Sequence, residues 1–64
     1  MPTTRLLLAT GELLEVEGDS RAVEKRLQDA ARSSPGTLAW MNDNASGEEI
    51  AVNPAQVVTL RPGE

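Results

Sequence analysis

The stretch Asp19-Ser20-Arg21-Ala22-Val23-Glu24-Lys25-Arg26-Leu27-Gln28-Asp29-Ala30-Ala31-Arg32 decides the fold, because no other run is long and periodic enough for a helix. Val23, Leu27, Ala30 and Ala31 recur at i, i+4, i+7 and i+8 and form one apolar stripe. Asp19 or Ser20 can accept a hydrogen bond from the free amides of the first turn. A capping box is absent, since Val23 stands three residues after Ser20 where Glu or Gln is needed. Lys25 and Asp29 are i, i+4 neighbours on the wet side. Arg32 suits the negative pole of the helix dipole. Ser33-Ser34-Pro35-Gly36 ends the helix, because Pro35 restricts the residue before it.

On both sides of the helix the apolar residues fall in strand-length runs. Arg5 to Ala9 is the first, and Thr10-Gly11 reads as a two-residue turn into Glu12–Glu17, giving an antiparallel hairpin. After the helix come Thr37–Met41, the turn cluster Asn42–Gly47, and Glu48–Val52, a second hairpin. Asn53-Pro54-Ala55-Gln56 breaks the chain direction: the Asn side chain can hold a turn while Pro54 fixes it. Val57–Leu60 is a short fifth strand, expected at an edge. The order ββαββ(β) implies one α+β domain, an antiparallel sheet of four to five strands with the single helix packed on one face.

Alternation along each strand sorts its side chains into two faces. One face, of large side chains, holds Leu6, Leu8, Leu14, Val16, Leu38, Trp40, Ile50, Val52, Val58 and Leu60 and is expected to meet the helix. The other would hold Arg5, Ala9, Glu15, Glu17, Thr37, Glu49, Asn53 and Thr59 together with the apolar Leu7, Leu13, Ala39, Met41, Ala51 and Val57. A sheet covered on one side normally turns a polar face to water. The six apolar residues on the uncovered side are therefore the expected interface of a two-fold dimer, the commonest closed assembly. An exposed edge strand is the other route to pairing.

Size points the same way. A chain of 64 residues buries only roughly 60% of its unfolded surface. Small domains are commonly stapled by disulfides, a metal or self-association. The chain has no cysteine and no histidine, so disulfides and thiol chemistry are excluded and the commonest metal ligand is missing. Self-association is the expected staple.

Six basic residues against ten acidic give a formal net charge of −4. Nucleic-acid binders carry a clustered basic footprint, whereas Arg5, Arg21, Lys25, Arg26, Arg32 and Arg61 are dispersed and interrupted by Glu24 and Asp29. A nucleic-acid-associated regulator using the helix cations is the runner-up reading. An acidic inhibitor or decoy of a basic partner, built on Glu12, Glu15, Glu17 and Asp19, is the third. The apolar run after Arg5 stops at Thr10-Gly11-Glu12, short of a signal sequence, and nothing approaches the ~18 apolar residues of a membrane span. The expected compartment is the cytoplasm.

Catalysis finds few tools. Ser20, Ser33, Ser34 and Ser46 have no histidine to activate them. Glu15/Glu17 and Glu48/Glu49 are paired, but acid–base work needs a buried pocket that a domain of this size has little room for. Asn42-Asp43-Asn44-Ala45-Ser46-Gly47 matches the start of a calcium loop in part, but its first position is Asn and its twelfth is Asn53 instead of a bidentate Glu. Trp40, the only aromatic residue, cannot by itself form the stacking platform of single-strand binders. The expectation is a protein without enzymatic activity, cofactor or metal.

The run Gly47-Glu48-Glu49-Ile50-Ala51-Val52-Asn53-Pro54-Ala55-Gln56-Val57-Val58 resembles the end of short actinobacterial proteins of ββαββ layout, a family of unknown function. In those, a glycine turn, a strand ending at Pro-Ala and a further short strand follow a single helix. This chain departs from them in the loop Asn42–Ser46. The resemblance implies the layout and a bacterial source, and no activity.

Overall fold

In the computed structural model, which describes residues 2–34 and 36–63, the elements are β1 (Thr3–Leu8), β2 (Leu13–Glu17), α1 (Ser20–Ser33), β3 (Ala39–Asn42), β4 (Glu49–Val52), one turn of 3₁₀ helix (Pro54–Gln56) and β5 (Val57–Pro62). The chain is α+β with antiparallel pairing throughout. The expected single sheet of four to five strands is corrected. A three-stranded sheet in the order β2-β1-β5 stands apart from the hairpin β3-β4. The two touch through one bridge, Val16 to Asp43, beside which the Asn44 amide donates to the Glu15 carbonyl at 2.8 Å. The central strand β1 takes β2 on one edge and β5 on the other, so β3-β4 could extend the sheet only beyond β2 or β5, and it meets β2 in that single bridge.

The first hairpin closes through a longer loop than a two-residue turn. The Gly11 amide donates to the Leu8 carbonyl and the Leu8 amide to that of Glu12, each at 2.9 Å. Gly11 sits at φ 92, the left-handed position of a three-residue hairpin loop. The helix starts as its sequence requires: Asp19 is extended, and its Oδ1 accepts from the Ala22 amide at 2.8 Å. Its expected stop at Pro35 lies outside the described residues. Between β4 and β5, Asn53 Oδ1 accepts from the Ala55 amide at 3.0 Å with Pro54 opening the 3₁₀ turn, which is the role read for that pair.

The core gathers Leu6, Val16, Val23, Leu27, Ala30, Ala39, Met41 and Val52, with Leu8, Leu14, Ile50, Val57 and Leu60 packed around it. The helix presents Val23, Leu27 and Ala30 inward, while Ala31 at the stripe's margin is exposed. It touches β1, β3, β5 and the 3₁₀ turn, so it fastens the two sheets together instead of covering one. The buried Thr4 hydroxyl donates to the Gly18 carbonyl at 2.9 Å, tying β1 to the helix entry. Among the described residues, no buried side-chain polar atom lacks a partner.

Two assignments of face are corrected. Ala39 and Met41 are buried, at 4% and 3% exposure, whereas Leu38 and Trp40 stand at 43% and 56%. The hairpin register is the reason: Ala39 pairs with Val52, Trp40 with Ala51 and Met41 with Ile50. Directly opposed residues share a face, so Met41 follows Ile50 into the core and Trp40 follows Ala51 out. In β5 the register slips between Leu7 and Leu8, which pair with Thr59 and Val57. Val58 is the extra residue of that bulge and turns outward, and Val57 packs on the core in its place.

Candidate interaction surface

The outer face of the β2-β1-β5 sheet is built by alternation. With Leu6, Leu14 and Leu60 turned inward, their strand neighbours Arg5, Leu7, Leu13, Thr59 and Arg61 turn outward and line one shallow hollow of about 230 Å³. Leu7 and Leu13 are directly paired and form its apolar side. Leu13 is 62% exposed. Arg5 lies between Glu15 on β2 and Arg61 on β5, in register with both. Glu15 is held in place by the Thr3 hydroxyl, which donates to its Oε2 at 2.8 Å. Gly63 closes the row: its amide donates to the Thr3 carbonyl at 2.9 Å, so its backbone runs against β1.

On β3 Trp40 is exposed, with half-buried Ala51 paired across from it, and Leu38, just before the strand, is exposed as well. The Arg26 guanidinium donates to the Trp40 carbonyl at 2.9 Å, anchoring the backbone and leaving the indole outside. A gap of about 290 Å³ opens where the sheets separate, lined by Leu8, Leu14, Ile50 and Val52 among others. Those side chains already belong to the core or its margin.

Of the six residues expected at the interface, the structure brings Leu7 and Leu13 together on the outer face of β2-β1-β5. It withdraws Ala39 and Met41 into the core, packs Val57 against it, and places Ala51 on the other sheet beside Trp40. Arg5, Thr59 and Arg61 complete the hollow, and Trp40 and Leu38 join the exposed set. A signal for the last two was present. Any even-length loop between two antiparallel strands pairs odd-numbered residues of one with even-numbered residues of the other. The turn cluster Asn42–Gly47 has such a length, so Met41 belonged with Ile50 and Val52.

The described residues hold no group of three or more His, Cys, Asp or Glu side chains placed to bind a metal ion. The Asp43 carboxylate is engaged within its own turn, accepting from the Ser46 hydroxyl at 2.9 Å and the Ser46 amide at 3.3 Å. No helix in the described residues is long and apolar enough to cross a membrane. Compared with protein-family models, with curated proteins and with solved structures, the chain shows no match.

Proposed function

We propose that this protein is a small non-enzymatic interaction module, cytoplasmic and without a cofactor, that self-associates through the sheet face opposite the helix. The carrying observation is the outer face of β2-β1-β5, where Leu13 is 62% exposed beside Leu7. A lone exposed leucine is ordinary on a protein surface. Two in register, over a hollow edged by Arg5, Arg61 and Thr59, make an apolar centre with a polar rim, the anatomy of an interface. The likeness to short actinobacterial ββαββ proteins adds layout and no activity to this proposal.

The size of the face sets the strength. Three strands about 4.8 Å apart and five to six residues long cover a footprint of roughly 300 Å². Stable interfaces take about 800 Å² from each partner. The proposed dimer is therefore a weak one. Sedimentation equilibrium up to about 1 mM should show a rising mass for the natural chain, and Leu13→Glu should hold it at the monomer value. A natural chain that stays monomeric to about 1 mM overturns the proposal.

A second reading rests on Trp40. Tryptophan is enriched at binding hot spots, and its 56% exposure on β3 favours a different protein as the partner of that sheet. Titration with that partner would shift the emission of the only tryptophan to the blue; self-association through β2-β1-β5 would not.

A further inference from the structure

The outer face of β2-β1-β5 is polarised across its strands. Glu15 and Glu17 lie on β2, Arg61 lies on β5, and Arg5 stands between on β1. Glu15 is the register neighbour of Arg5, and its carboxylate accepts from the Thr3 hydroxyl. The register neighbours of Arg61 on β1 are Arg5 directly opposite and Thr3 and Leu7 on the diagonals, none of them an anion. Like charges directly opposed across strands repel, so the Arg5–Arg61 row is short of one negative charge on the β5 side.

We infer, resting on the self-association proposed above, that a second copy of this chain supplies that charge as Glu15, and that the two-fold axis runs along β1. If the strands of the two facing sheets are aligned, the two-fold axis between them lies either along the strands or across them. Along β1, it lays β2 of each copy over β5 of the other. Glu15 of each copy then faces Arg61 of its mate, twice over, and Leu7 meets Leu7 at the axis. Facing sheets stand about 10 Å apart, a gap that arginine and glutamate side chains bridge together. Across the strands, β2 lies over β2, so Glu15 meets Glu15 or a leucine, and Arg61 meets Arg61 or Thr59. Only the first arrangement joins opposite charges. It also lays Arg5 over Arg5 of its mate, the one like-charge contact of this arrangement, with Glu15 of its own chain as the register neighbour of each. The contact is isologous, as a closed pair requires, and complementary charge fixes its orientation more than its affinity.

Charge reversal tests the axis at a concentration where the natural chain is dimeric. Arg61→Glu and Glu15→Arg should each weaken association about tenfold or more. Mixed in equal amounts, the two variants should regain the dimer mass, because each offers the charge the other lacks; the double variant should do the same alone. Circular dichroism of each variant checks that it folds. Should Glu15→Arg lose its helix signal, Glu15→Gln replaces it, keeping an acceptor for the Thr3 hydroxyl, and it too should weaken association. A mixture that stays monomeric, or an Arg61→Glu or Glu15→Gln that associates as the natural chain does, overturns the axis and leaves self-association standing. A natural chain that never dimerises overturns both.

Discussion

Met41→Glu would place a carboxylate at a position only 3% exposed, among Val16, Ile50 and the helix side chains of the core. A domain of 64 residues holds about 3–10 kcal/mol of stability, and emptying a buried methionine site alone removes about 2–5 kcal/mol. The expected result is loss of the far-ultraviolet helix signal in water. Trp40→Ser, one residue away, should move the urea midpoint little, since the indole is mostly in solvent and Arg26 holds the backbone carbonyl whatever side chain follows. Equal destabilisation by the two would contradict the register of β3. Gly63 supplies another local test. A Cβ there would overlap the Thr3 hydroxyl oxygen. Gly63→Ala should cost about 1–3 kcal/mol, read as a lower urea midpoint, with the Thr3–Glu15 hydrogen bond disturbed.

Among the elements, α1 was the most legible in the chain itself. Its periodic stripe and its Asp19 cap are local features, and local chemistry suffices to place them. Asp19→Ala should cost about 1 kcal/mol and lower the melting temperature without changing association, because the carboxylate serves the Ala22 amide and lies off the proposed face. The strands were legible in position and less so in orientation. Assigning the bulkier residues of Thr37–Met41 to the core puts Leu38 and Trp40 inside, yet a one-residue shift in phase exchanges the faces. Loop parity, and not side-chain size, decides β3. The bulge opposite Leu7 and Leu8 is less accessible still, since Val57 and Val58 differ only by which one the register skips. Outer faces free of such irregularities were read correctly: Arg5, Leu7, Leu13, Glu15 and Thr59 alternate as expected.

At the scale of the whole molecule, the expected single sheet falls into two. β5 takes the free edge of β1, and β3-β4 meets β2 in one bridge only. The helix then serves both halves, and exposed apolar side chains stand in two places: Leu7 and Leu13 on β2-β1-β5, and Trp40 on β3 with Leu38 just before it. Salt separates the proposed self-association from the nucleic-acid reading. Phosphate binding by the helix cations would fall steeply as salt rises, whereas an apolar contact edged by charge pairs changes modestly. The most direct measurement is a dilution series of amide correlation spectra of the natural chain, from about 1 mM to 50 μM. Concentration-dependent shifts are expected at Arg5, Leu7, Leu13, Glu15, Thr59 and Arg61, with the Trp40 indole signal unmoved. Spectra that superimpose throughout the series, or shifts confined to Leu38 and Trp40, would contradict self-association through β2-β1-β5.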